Sequence, residues 1–97
     1  MPTPLTLIAT LTALPDQAAA VEAGLRQLVP PSQAEAGCLQ YNLHRHQDDP
    51  RVFSMIEQWQ DADALKAHQQ TAHFLAFGQR CGSLLERVDH QLMQRVL

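Results

Sequence analysis

Two stretches of alternating side chains, Cys38–His46 and Arg51–Trp59, are separated by only four turn-forming residues, Gln47-Asp48-Asp49-Pro50. Period-two spacing bounded by a short polar turn is the pattern of an antiparallel hairpin. In the first stretch Leu39, Tyr41 and Leu43 share a face, with Cys38, Gln40, Asn42, His44 and His46 on the other. In the second, Phe53, Met55, Glu57 and Trp59 oppose Val52 and Ile56. A hairpin alone is at best marginally stable in water, so the rest of the chain has to cover it.

Both flanks supply a helix and a further strand. Leu5–Ala13 alternates, with Leu5, Leu7, Ala9 and Leu11 against Thr6, Ile8, Thr10 and Thr12. After Pro15, Asp16 is placed as the N-cap of a helix running to about Leu28, with Ala18, Val21, Leu25 and Leu28 on one stripe. Pro30-Pro31 is expected to break or kink it, Ser32–Ala36 to add a turn, and Gly37 to end it as a left-handed C′ residue. Beyond the hairpin, Asp61 or Asp63 caps a second helical run. A break is expected near Gln69-Gln70-Thr71, then a helix from about Ala72 to Leu85 and a last strand over Val88–Leu97. The order is β-α-β-β-α-β in a single domain, residues 1–97. That is an α+β, ferredoxin-like arrangement, a four-stranded antiparallel sheet with both helices on one face.

The last two strands carry apolar groups on both faces. Val88, Leu92 and Val96 oppose Met93 and Leu97, and the third strand is two-sided as well. A sheet with one wet face alternates more cleanly. A second copy packed face to face by two-fold symmetry is the simplest cover, so a homodimer is expected.

Composition closes off other classes. The net charge is −3 and the seven basic residues are scattered. Nucleic acid is therefore not an expected partner. No run of about 18 apolar residues exists, so no membrane partner is expected. The start lacks a basic n-region, which predicts no signal peptide. Cys38 and Cys81 stand outside any C-x-x-C pair and are read as buried thiols of a reducing compartment, with a cytoplasmic location. There is no G-x-G-x-x-G, P-loop or G-x-S-x-G, and no cofactor is expected.

The residues able to carry chemistry crowd into 57–74. His68 and His73, five apart, point about 140° apart on a continuous helix. A break near Gln70 brings them closer. Either can act as a proton acceptor near neutral pH, or be a satisfied core or surface histidine. Glu57, among Phe53, Met55 and Trp59, exchanges a proton if buried alone, or pairs with Arg45, Arg80 or Arg87, or caps the following turn. Trp59 serves the core, an interface or a ligand platform. His44-x-His46 is a metal pair only if a third ligand arrives from elsewhere, and no metal is expected.

Three segments carry a family likeness: Glu35-x-Gly37-Cys38-x-x-Tyr41, Phe53-x-x-x-Glu57-x-Trp59-x-Asp61 and Leu65-x-x-His68-x-x-x-x-His73-Phe74. In combination, over about residues 5 to 96, they resemble the antibiotic biosynthesis monooxygenase domain family, which includes quinol monooxygenases. The resemblance implies a dimeric α+β barrel with a small cavity in each protomer between sheet and helices. It implies oxidation of a small quinol or aromatic substrate by molecular oxygen without metal, flavin or haem. His68, then His73, would be the catalytic base, and Trp59, Phe53, Phe74, Tyr41 and Glu57 would meet the substrate. Similar domains isomerise phosphorylated sugars, degrade haem or have no established substrate. The lack of a paired acid and base leaves a small-ligand-binding stress-response dimer without turnover as an alternative, and an isomerase of a small metabolite as another. Thr6, Thr10 and Thr12 in the first strand, and Gln79-Arg80-Cys81 later, depart from the haem-degrading pattern.

Overall fold

The computed structural model describes residues 3–97. Its sheet is built in the order β2-β3-β1-β4, antiparallel throughout, from β1 (Leu5–Ala13), β2 (Cys38–Arg45), β3 (Val52–Trp59) and β4 (Leu85–Met93). The crossovers are α1 (Ala18–Gln33), then α2 (Ala62–His68) and α3 (Ala72–Cys81), with a 3₁₀ turn at Gly82–Leu84 before β4. The ferredoxin-like order and the antiparallel hairpin expected from the alternation are both present.

Register aligns the helix-facing residues into rows across the sheet. Tyr41, Glu57, Leu7 and Leu92 form one row; Leu43, Met55, Ala9 and His90 the next; Arg45, Phe53, Leu11 and Val88 a third. The core lies between these rows and Val21, Leu25 and Leu28 of α1. Because side chains alternate along a strand, a slip of one residue would turn every row inside out.

Several local expectations are corrected. Asp16 does not cap α1: it adopts φ 67°, a left-handed turn that Asp tolerates better than most residues, and Gln17 occupies the N-cap without a side-chain bond. Pro30 and Pro31 do not break the helix, which runs on to Gln33. They remove the donors that would reach the carbonyls of Arg26 and Gln27, but they fall in the last turns, where few bonds remain downstream. Gly37 is not a left-handed C′ residue, since no described glycine has positive φ. Its constraint is steric: a Cβ there would lie 2.4 Å from the Ala64 Cβ of α2. α3 stops at Cys81, short of Leu85, and the last strand runs over Leu85–Met93 rather than Val88–Leu97. Leu84 and Leu85 still pack on the core, from a 3₁₀ turn and a strand rather than a helix.

The break between the second and third helices falls where Gln69–Thr71 suggested. Asp61 caps α2 by accepting from Ala64 N at 2.8 Å. Thr71 caps α3, accepting from Phe74 N at 3.3 Å, and its own hydroxyl donates to the His68 carbonyl at 2.7 Å. One threonine thus ends one helix and starts the next, and so sets the angle at which His68 and His73 approach each other. None of these helices is long and apolar enough to cross a membrane.

β4 is exposed along its length after Leu85. Val88 and Leu92, on the helix side of the sheet, are 42% and 62% exposed, and Met93 on the opposite face is exposed as well.

Candidate active site

The link between α1 and β2 is drawn onto α2 by the contact between Gly37 and Ala64. This brings Glu35 over the end of α2. Its Oε2 lies 2.7 Å from His68 Nδ1 and 2.7 Å from His73 Nε2. A carboxylate only accepts, so both imidazoles donate to the same oxygen. That fixes the tautomers: His68 carries its proton on Nδ1 and presents Nε2 as a lone pair, with no hydrogen bond to another described residue. His68 is 1% exposed and His73 about a quarter exposed, so the first faces inward and the second lies towards the surface.

Aromatic rings enclose His68. The centroid of Trp59 lies 4.6 Å away, Phe74 5.0 Å in an edge-on arrangement, and Tyr41 5.3 Å. Burial pushes the His68 pKa below the usual histidine value, and the Glu35 carboxylate opposes this through its hydrogen bond and charge. The imidazole is therefore neutral at pH 7 and able to accept a proton.

Glu57 is 3% exposed on β3. Trp59 Nε1 donates to its Oε1 at 2.9 Å. The arginines that were its possible partners are engaged elsewhere: Arg45 with Glu22, Arg80 with Gln27 and Arg87 with Asp89. Left without a cation, the carboxyl is raised by burial to about 7, against the lowering effect of the Trp59 hydrogen bond. Across the strand pair, Tyr41 is buried and its phenol is raised well above the usual tyrosine value, first by burial and then by the Glu57 charge. Ser32 is fully buried beside it, and its hydroxyl works against the rise.

His68, Phe74, Glu57 and Tyr41 face a cavity of about 200 Å³ between sheet and helices. Tyr41, Glu57, His68, Gln69 and His90 are its polar lining, and the remaining walls are leucines, Met55, Phe74, Phe77 and Val88 among other apolar groups. No Lys or Arg among the described residues lines it. Of the residues singled out from sequence, Tyr41, Glu57, His68 and Phe74 line this cavity. Trp59 is fully buried behind His68. His73 lies beyond Glu35 and lines a smaller surface hollow with Arg80 and Phe77. Phe53 is buried in the third row, with the Arg45 guanidinium 6.0 Å from its ring centre. His44-x-His46 gains no third donor among the described residues: His46 Nε2 is 2.8 Å from Ser54 Oγ on the open face.

Two groups of the site, Glu35 behind His68 and His90 in the cavity wall, escaped sequence reasoning. Glu35 sits in an aperiodic link, and nothing local marks it as a histidine partner. His90 is brought in by its register with Ala9, a signal available only once β1 and β4 are aligned.

Glu35, His68 and His73 also form a donor set of the kind that holds a divalent ion, with ligand atoms within 4.8 Å of one another. The 2.7 Å separations are hydrogen-bond lengths. Neighbouring ligands of a tetrahedral zinc ion lie ~3.3 Å apart, given bonds of ~2.0–2.1 Å. The arrangement is that of a carboxylate orienting two imidazoles.

Residues 4–80 match the family model described as antibiotic biosynthesis monooxygenase. The fold superposes on the crystal structure of PA3566 from Pseudomonas aeruginosa with a TM-score of 0.96 and 54% identity, covering 100% of this chain and 98% of that one. Rv0793 of Mycobacterium tuberculosis is 31% identical over 90% of this chain and 85% of its own length. YcnE of Bacillus subtilis is 42% identical over 52 residues, 54% of this chain and 55% of that protein. The last two carry the provisional name of monooxygenase.

Proposed function

The chain belongs to the antibiotic biosynthesis monooxygenase family, and from that premise we propose that it is a cofactor-independent monooxygenase acting on a small quinol or electron-rich aromatic. The observation that carries this reading is the neutral, buried His68, held by Glu35 with Nε2 unbonded at an apolar cavity.

The chemistry follows from that arrangement. A substrate hydroxyl gives its proton to His68 Nε2, and Glu35 stabilises the imidazolium through Nδ1–H. The resulting phenolate sits among apolar walls, poorly solvated and electron-rich, and passes an electron to oxygen. For a quinol the balance is quinol plus O₂ giving hydroxyquinone plus water. The ring loses four electrons, one oxygen atom enters it, and the other leaves as water with two protons. His68 is the catalytic base, Glu35 and His73 position it, and Tyr41 and Phe74 shape the cavity. The absence of a lining cation disfavours a phosphorylated substrate, and with it the isomerase reading.

We read the assembly as a homodimer. The exposed apolar groups of β4, Val88 and Leu92, support this, because Val88 borders the cavity and a second copy would cover both. Gel filtration at micromolar concentration tests it, and a monomer there refutes it.

Oxygen uptake with a panel of hydroquinones tests the activity. His68→Ala should lower the substrate-dependent rate by about 100-fold or more. Uptake no faster than buffer autoxidation, with tight binding of the same compounds, would identify a ligand-binding dimer without turnover.

A further inference from the structure

The mechanism above uses one base, yet two hydrogens leave the substrate as water. Glu57 has no part in it and no structural need to be an acid. It is buried on β3, lines the cavity and faces no cation. Its single hydrogen bond, from Trp59 Nε1 to Oε1, is one that an uncharged amide could equally accept. Oε2 has no hydrogen-bond donor among the described residues. A carboxyl kept in an apolar wall without a cationic partner is where acid–base work concentrates.

We infer that Glu57 is a second proton acceptor of the cavity, and that the ligand is a neutral arene with two hydroxyls, one met by His68 and the other by Glu57. This rests on the reading of His68 as the first base. Neutrality follows from the lining. No Lys or Arg is present to receive a carboxylate or phosphate, while Glu57 and nearby Glu35 would repel one. Size follows from volume. An apolar cavity of about 150 Å³ accepts benzene, so about 200 Å³ admits one substituted ring. The second transfer is balanced by the oxidation. The remaining O–H bond of the ring breaks, a Glu57 O–H bond forms, and the electron pair left on oxygen joins the ring as it reduces O₂. Both protons, from His68 and from Glu57, leave with the oxygen atom released as water. Trp59, donating to Glu57 and packed on His68, holds the two acceptors in one frame.

The two readings separate with two probes, 4-nitrophenol carrying one hydroxyl and 4-nitrocatechol carrying two. Trp59 is the only tryptophan, so its quenching reports affinity. The visible absorbance of each probe reports ionisation. Wild type should bind nitrocatechol at least tenfold more tightly than nitrophenol. In Glu57→Gln that ratio should fall to near one, and hydroquinone turnover should drop about tenfold or more in kcat, with partial recovery in Glu57→Asp. An unchanged ratio in both variants, or unchanged hydroquinone kcat in Glu57→Gln, overturns the inference. Loss of phenolate absorbance in His68→Gln tests the first base separately. If wild type binds nitrophenol without ionising it, the His68 reading falls, while the ratio still judges Glu57.

Discussion

A carboxyl held at a pKa of about 7 inside an apolar wall weakens the fold, by an amount that depends on pH. Glu57 is raised from an ordinary 4.5 to about 7. The folded chain therefore binds this proton more tightly than the unfolded chain does. Below pH 4.5 both states are protonated and there is no cost. Between 4.5 and about 7 the unfolded state ionises first, so stability falls as pH rises, and above 7 the loss is complete. At ~1.4 kcal/mol for each tenfold difference in proton affinity, the cost is ~1 kcal/mol at pH 5 and ~3 kcal/mol at pH 8. Glu57→Gln keeps the volume and an acceptor for Trp59 Nε1 but cannot ionise. Its stability relative to wild type should therefore improve by ~2–3 kcal/mol between pH 5 and pH 8. Any fixed cost of seating the amide nitrogen is the same at both values and cancels. Urea unfolding followed by Trp59 emission, at one protein concentration, measures this difference. Parallel pH curves for the two proteins would show that Glu57 ionises normally, and the account of its burial would be wrong.

Three further outcomes follow from the geometry. Glu35→Gln removes the charge that supports His68, so the acid limb of kcat/KM should move to lower pH and kcat should fall; an unmoved limb would detach Glu35 from the base. Gly37→Ala puts a methyl 2.4 Å from the Ala64 Cβ, and should cost about 1–3 kcal/mol in urea unfolding while lowering turnover more than its stability loss explains. Dialysis against EDTA should leave oxygen uptake intact; loss restored by a divalent ion would reassign Glu35, His68 and His73 as ligands.

What was legible in the sequence is what periodicity encodes. Leu7, Ala9 and Leu11 alternate in β1 and are buried, and Phe53, Met55, Glu57 and Trp59 do the same in β3. The break at Gln69–Thr71 was legible because a polar stretch interrupts the helical run between two histidines. What stayed hidden depends on long-range contact. Pro30-Pro31 reads as a stop, yet α1 continues because its stripe is buried against the sheet, and packing outweighs two lost backbone bonds. Gly37 reads as a cap by residue type, while its real constraint is a neighbour 27 positions away. Glu35 belongs to no stripe. Glu57 was left open between an arginine partner and isolation, and only the pairings of Arg45, Arg80 and Arg87 decide it.

Glu35 reaches His68 and His73 across separations of 33 and 38 positions. In a chain that has not yet folded, neither imidazole has its carboxylate and there is no cavity to strip water from a substrate. The proposed base is incomplete until the link, the helices and the sheet have all come together. On the proposed mechanism a nascent or damaged copy is inert towards oxygen, and the same contacts that complete the fold switch on the chemistry.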